Sequence, residues 1–382
     1  MTRYDAVIVG LGAMGSAALY QFARRGARVL GIDRYIPPHD RGSSHGDTRI
    51  TRLAIGEGAH YTPMVMRSHE IWRAIEGATG CDLLTQCGGL VISSAAKQSF
   101  THVPRFFENT LATARAHGVA HELLDTGALR DRFAQFAVRD GETGYYEPGA
   151  GFLRPEACIR AQLDLALRHG AEIRTGEIAT AFDGTTVTTD RGSYRAETTI
   201  LAAGAWLPGL LDARIAGPFK VHRQTLHWFD PGQARDDFHP QRFPVFIWEL
   251  QRTRQGIYGF PAIDGGGVKI ATEQYADATT PDAVARDVSP GESRAMHEAF
   301  VAPQFPALSG RCLKSAVCLY TVTPDFQFVI DRHPEIANVI VASPCSGHGF
   351  KHSPAIGEAL AQQVLDGRSD LDLSPFRFAR FQ

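Results

Sequence analysis

The sequence predicts a mixed α/β chain, α+β overall, in which a helix-flanked parallel sheet is interrupted by a domain built on a largely antiparallel mixed sheet. Three observations predict it. The first sixty residues run strand, glycine turn, helix, strand. Short strand patterns separated by turn-rich pieces dominate residues 216–309. The strand-and-helix character of the start then returns at 338–365. A chain of 382 residues has room for two or three domains, and 44% apolar residues are enough for a packed core.

Ala6-Val7-Ile8-Val9 is short, apolar and β-branched, and reads as a strand buried on both faces. Gly10-Leu11-Gly12-Ala13-Met14-Gly15 follows at once, and helical spacing runs over 16–25 until Gly26. Residues 27–32 read as a second strand, with Asp33 at its end. Each residue type has a physical task. Gly10 permits the tight turn, Gly12 removes the Cβ that would face a pyrophosphate, and Gly15 lets helix and strand pack closely. The helix N-terminus offers N–H groups and a positive dipole end to phosphates. Asp33 can accept hydrogen bonds from ribose hydroxyls. This order is Rossmann-type dinucleotide binding, and by itself it leaves FAD and NAD both open.

Residues 34–52 are too polar and glycine-rich for a buried element, and read as an ordered loop leading into a helix. On a helix Arg49 and Arg52 share a face, either solvated or a cationic patch beside the cofactor. Helices are expected at 61–75, 106–117 and 151–169, and strands at 88–93, 170–174, 187–189 and 199–204. The last strand ends in Ala203-Gly204, an ordinary strand end or a second close backbone approach to a cofactor. Strands at 223–229, 245–250, 256–260 and 268–272 make up the inserted sheet, and 338–342 and 354–365 return to strand and helix. The expected division is a discontinuous cofactor domain of 1–80, 145–215 and 310–382, and a substrate domain of 81–144 and 216–309.

The formal net charge of −2 gives no bulk attraction to nucleic acid or an anionic membrane. No apolar run is long enough to span a bilayer. Met1-Thr2-Arg3-Tyr4-Asp5 leads straight into a strand, leaving no room for a signal peptide, so a reducing cytoplasm is expected. The six cysteines are scattered without a CxxC pair, which argues against a metal site and for free thiols.

Val9-Gly10-Leu11-Gly12-Ala13-Met14-Gly15, His45-Gly46-Asp47-Thr48-Arg49, Val317-Cys318-Leu319-Tyr320-Thr321 and Ser346-Gly347-His348-Gly349-Phe350-Lys351 occur in this order. Together they resemble the family of monomeric sarcosine oxidase and N-methyltryptophan oxidase over essentially the whole chain. The resemblance implies a monomer with a cofactor domain of glutathione-reductase type, and FAD joined through a cysteine thioether to its 8α-methyl. Cys318 matches that cysteine, and a cation such as Lys314 nearby would favour the thiolate it requires. The family's reaction oxidises a secondary amine, typically of an N-methyl amino acid, to an imine. Water hydrolyses the imine, and oxygen takes the electrons to give hydrogen peroxide.

Residue by residue, Lys269 matches the lysine that promotes reaction with oxygen, where a fixed cation stabilises developing superoxide-like charge. Arg52 and Lys351 match the pair that holds the substrate carboxylate. Tyr258 matches a tyrosine lining the substrate pocket, and His348 lies near it, as a substrate contact or as a structural histidine. Arg49 and His45 match residues beside the flavin ring. Further cofactor contacts are implied at Ala13, Met14, Arg34, Ser43, Ser44, Thr48, Ile178, Trp206, Gly347, Gly349 and Phe350, beside Gly10, Gly12, Gly15, Asp33, Ala203, Gly204 and Lys351.

The sequence also departs from the family. Four residues after Lys269, where sarcosine oxidase has histidine, stands Glu273. A carboxylate there attracts an ammonium, so the preferred amine is expected to differ from sarcosine. Residues 248–254 look longer and more charged than the family pattern and bear on the pocket entrance. Two other readings stay open: an oxidase of a primary or cyclic amino acid (glycine- or proline-like), and a flavin-binding protein without turnover. The retained Arg52, Lys269, Cys318 and Lys351 weigh against the second.

Overall fold

In the computed structural model, which describes residues 3–97 and 102–381, the first apolar run forms the strand Arg3–Val9 and the second the strand Val29–Asp33. Met1 and Thr2 lie outside the described residues. The side chains of the first strand alternate between two cores. Ala6 and Ile8 pack with the helices Ala13–Ala23, Pro155–Arg168 and Ser353–Leu365, while Val7 and Val9 pack into a second cluster with Leu207, Ile215 and Phe219. That is why the run is apolar throughout. The parallel strands follow the order Glu172–Thr175, Val29–Asp33, Arg3–Val9, Ser193–Leu201 and Val339–Ser343. Antiparallel additions (Val329–Arg332, and the hairpin of Ala179–Phe182 with Thr186–Thr189) complete an eight-stranded sheet.

The inserted sheet has nine strands and is mixed but mostly antiparallel. Among the described residues only Val245–Trp248 with Gly89–Ser94 is a parallel pair in it. At its centre Lys220–Phe229, Val268–Thr272 and Ile257–Phe260 lie side by side. The strand Cys312–Val322 pairs along nearly its whole length with Lys220–Phe229, which sets Cys318 opposite Gln224. It therefore belongs to this sheet although it lies beyond residue 310.

Two expected helical segments differ. Gly151–Leu153 is a strand, and the helix starts only at Pro155, whose missing N–H suits a first helical turn. Gly151 lies so close to its neighbour that a Cβ there would stand 2.0 Å from the Thr85 carbonyl. Its partner on the other side is Arg49–Thr51, also a strand and not the start of a helix. Gly46 and Asp47, with φ of 94° and 67°, turn the chain into that strand. Arg49 and Arg52 consequently share no helix face. Among the described residues no helix is long and apolar enough to cross a membrane.

Candidate active site

A cavity of about 710 Å³ runs without a break from the Gly10–Asp33 end of the parallel sheet to Lys269, Cys318 and Lys351 between the two sheets. At its first end the glycines divide the labour. A Cβ on Gly10 would meet the Ala202 carbonyl oxygen at 2.5 Å, and one on Gly15 the Gly10 oxygen at 1.7 Å, so both are demanded by the fold itself. A Cβ on Gly12 would meet only Ser44 Oγ at 3.6 Å, so that glycine leaves its room to the cavity. Gly12 precedes the helix Ala13–Ala23 without a side-chain cap. Ala13 N donates to Ser44 Oγ at 3.3 Å. Asp33 fixes the turn by accepting from Leu11 N at 2.7 Å and from Tyr35 N at 2.8 Å. The Arg34 guanidinium lies 5.1 Å from the Trp206 ring centre. These features fit a dinucleotide: a helix N-terminus, a gap where a Cβ would sit, and a buried carboxylate beside it.

In the middle of the cavity the sheet register places a cation. Lys269 pairs with Trp228 on one side and Phe260 on the other, so all three side chains share a face. Its Nζ lies 3.9 Å from the Phe260 ring centre and donates to the carbonyls of Gly46 at 2.8 Å and Thr48 at 2.7 Å. Burial, then the nearby Arg49, draws its pKa well below the usual lysine value. Arg49 donates to Ser43 O at 2.7 Å and to Thr48 O at 2.8 Å, and its Nη2 stands 3.5 Å from Cys318 Sγ. Burial pushes the Cys318 thiol up, and Arg49 draws it back. Lys314 does not serve the thiol as expected: its ammonium is tied to both oxygens of Asp47, at 2.8 and 2.7 Å. His45 is buried with its pKa lowered to about 4, chiefly by burial and then by Arg49, so its ring is neutral.

The far end is a chain of alternating charges. Arg52 donates to Glu57 at 2.5 Å and to Ala54 O at 2.5 Å, and its guanidinium stacks on Phe106 at 4.8 Å. Burial opposes ionisation of Glu57, but Arg52, Lys351, His348 and His102 hold its carboxyl well below the normal range. Glu57 Oε1 lies 3.8 Å from His102 Nε2, and His102 Nδ1 meets Glu273 Oε2 at 2.9 Å. Burial disfavours charge on His102, yet Glu273 and Glu57 outweigh it and raise its pKa. Lys351 donates to His348 O at 2.7 Å, and burial brings its pKa down to about 7. His348 Nε2 lies 3.1 Å from the Phe326 carbonyl, which only accepts, so Nε2 carries the proton. Tyr258 and Tyr320 share a hydroxyl contact of 3.2 Å.

Nearly all of the residues expected at the site line this one cavity, Ile178, Ala203, Gly204 and Phe350 among them. Three stand behind its wall: Gly15 in the helix–strand contact, Thr48 beneath Lys269, and His45. Sequence reasoning missed Glu57, His102, Tyr275 and Tyr320. Tyr320 was findable, since it lies two residues from Cys318 on a strand and so faces the same way. Glu57 left a faint signal as a lone acid between two glycines. His102 left none.

The profile of the family described as FAD dependent oxidoreductase matches residues 5–363. Monomeric sarcosine oxidase of Streptomyces avermitilis is 38% identical over 371 residues, covering 95% of this chain and 94% of that one. N-methyl-L-tryptophan oxidase of Escherichia coli O139:H28 is 34% identical, with all of both chains covered. Among solved structures, the open form of NikD, an unusual amino acid oxidase essential for nikkomycin biosynthesis, superposes with a TM-score of 0.83 at 23% identity, over 99% of this chain and 98% of that one. At that identity the likeness concerns the fold.

Proposed function

Because the chain belongs to the FAD dependent oxidoreductase family, we propose that it oxidises the secondary amine of an N-methyl amino acid to an imine, with oxygen as electron acceptor and hydrogen peroxide as product. The observation that carries this reading is the convergence of Lys269, Cys318, Arg52 and Lys351 on the cavity that begins at the Gly10–Gly15 turn. Gly12, Ser44, Asp33 and the N-terminus of Ala13–Ala23 would hold the dinucleotide part of FAD, and the flavin would lie between Arg49, Lys269 and the Gly347–Phe350 segment. Bound FAD supplies the two-electron oxidation of the amine and the passage of those electrons to oxygen.

The residues of the chain do the rest. Arg52 and Lys351 receive the substrate carboxylate, the guanidinium fork giving orientation and the ammonium adding charge. Glu57 already occupies Arg52, so an entering carboxylate competes with it. Lys269 presents a fixed cation, held by two carbonyls, to the place where oxygen is reduced. Cys318 is the proposed point of covalent attachment at the flavin 8α-methyl, with Arg49 as the cation that favours its thiolate. The eight-stranded sheet is read as the core of the cofactor part and the nine-stranded sheet as the substrate part. The reading has a monomer working in the cytoplasm on a small amino acid.

The test is an anaerobic titration of the yellow protein with sarcosine, larger N-methyl amino acids, glycine and proline, followed by peroxide release in air. Bleaching by N-methyl amino acids supports the reading. Bleaching only by glycine or proline moves the activity to primary or cyclic amines, and no bleaching by any of them leaves a flavin carrier.

A further inference from the structure

Given that the cavity takes an N-methyl amino acid, as proposed above, we infer that Glu273 and the tyrosines around it bind the substrate nitrogen as a cation, so that the enzyme selects zwitterions with a methylated ammonium. The geometry is that of an aromatic box with one carboxylate. Gly347, at φ 83°, can carry no ordinary side chain, and three groups converge on the space a Cβ would fill. Tyr320 Cε2 would stand 3.1 Å from it, Tyr275 Oη 3.2 Å and Glu273 Oε1 3.4 Å. Tyr258 closes the box through its hydroxyl contact with Tyr320.

The parts are chemically matched to a methylated cation. Burial raises the pKa of all three phenols, so they stay neutral and offer π-density and hydroxyl oxygen, not charge. Aromatic groups attract an ammonium that carries methyl groups in place of N–H donors, which a purely hydrogen-bonding site does not. Glu273 adds the one formal charge in the box. His102 holds its Oε2 from behind at 2.9 Å, which leaves Oε1 on the Gly347 side, and a paired carboxylate retains acceptor capacity.

The wall also has the right polarity along its length. Arg52, Glu57, His102 and Glu273 follow one another as cation, anion, cation and anion, at 2.5, 3.8 and 2.9 Å. Lys351 interacts electrostatically with both Arg52 and Glu273, so an amino acid has a cation for its carboxylate in the Arg52–Lys351 pair and an anion for its nitrogen in Glu273, opposite charge facing opposite charge at both. With a neutral histidine in place of Glu273 the second match would be lost.

Two ligands of the same shape isolate the nitrogen charge. Betaine carries a permanent trimethylammonium that has no lone pair and cannot be oxidised. 3,3-Dimethylbutanoate replaces that nitrogen with carbon. Both are titrated into the oxidised holoenzyme, followed by the flavin absorbance and by calorimetry, for wild type and for Glu273→Gln, which keeps the shape and still accepts from His102. The expected result is betaine bound at least about tenfold more tightly than its neutral isostere by wild type, with most of that preference lost in the variant. Equal binding by wild type, a preference that survives Glu273→Gln, or no binding of betaine by an enzyme that N-methyl amino acids do reduce, each overturns the inference. Should Glu273→Gln fail to fold, the wild-type ratio decides on its own. Failure of the parent reading looks different: no N-methyl amino acid bleaches the enzyme, whatever betaine does.

Discussion

Replacing Lys269 by methionine keeps the length and the contact with Phe260 but removes the ammonium. The charge lost is a buried one, held by the carbonyls of Gly46 and Thr48 at 2.8 and 2.7 Å. A unit charge about 4 Å from a developing negative charge contributes roughly 4 kcal/mol at an effective dielectric near 20. At about 1.4 kcal/mol per decade of rate, that is ~10³-fold. The expectation is that reoxidation of substrate-reduced enzyme by oxygen slows by about that factor, while reduction of the flavin by substrate changes only a few-fold. Stopped-flow absorbance resolves the two half-reactions. The pH dependence gives a second reading. Burial and Arg49 place the Lys269 pKa well below 10.5, and the charged form is the useful one. Wild-type reoxidation therefore slows as pH rises through that lowered value, and the methionine variant shows no such step. Equal slowing of both half-reactions, or unchanged reoxidation, would refute the role. Stability is a separate check: the Thr48 carbonyl keeps its bond from Arg49 and the Gly46 carbonyl its bond from Thr48 N, so losing the two lysine hydrogen bonds should cost only ~1 kcal/mol each and lower Tm modestly.

Cys318→Ala is expected to release all flavin into the supernatant on acid precipitation, whereas wild type retains it. Because burial raises the Cys318 pKa, covalent incorporation into apoprotein should quicken with pH, about tenfold per unit while the thiol form dominates; a flat profile between pH 7 and 9 contradicts the thiolate requirement. Gly12 and Gly15 should respond differently to alanine. Gly15→Ala drives a Cβ to 1.7 Å from the Gly10 oxygen, costing at least ~1–3 kcal/mol and lowering Tm. Gly12→Ala, with 3.6 Å of clearance, should keep its Tm without cofactor and lose FAD affinity.

What the sequence made legible followed from periodicity and from glycines. Residues 268–272 read as a strand and form Val268–Thr272, because the β-branched Val268, Ile270 and Thr272 recur at the strand period of two. The turn at Gly10–Gly15 is legible because two of its glycines answer to local limits, Gly10 to a φ of 91° and Gly15 to the Gly10 carbonyl. Residues 49–52 were misread because arginines three apart satisfy helix spacing as well as any loop, and only pairing with the distant Gly151–Leu153 decides for strand. The helix Pro290–Met296 was overlooked despite a signal: Ser289 and Glu292 form a reciprocal capping box. His102 stayed invisible for another reason. Its partners Glu57 and Glu273 lie 45 residues before it and 171 after it, and no local rule links them.

The Arg52–Glu57 pair gives a prediction in which stability and binding move in opposite directions. Both side chains are buried, so each carries a desolvation cost that the other offsets. Glu57→Gln leaves the guanidinium with the Ala54 carbonyl, the Phe106 ring and a neutral amide. The loss for a broken buried pair is ~3–5 kcal/mol. A carboxylate ligand supplies the missing anion, so it should raise the Tm of the variant more than that of wild type. Lys351 adds a pH signature. Its pKa is about 7, and Glu57 is the charge that holds it up against burial and Arg52. Without Glu57 that pKa falls further, so the pH above which carboxylate ligands begin to bind less tightly moves down from about 7. Thermal shifts with a saturating, non-oxidisable carboxylate at several pH values measure both effects. Identical ligand-induced shifts in the two proteins would mean that Arg52 is not the group the carboxylate and Glu57 compete for, and the substrate anion would then have to be met by Lys351 alone.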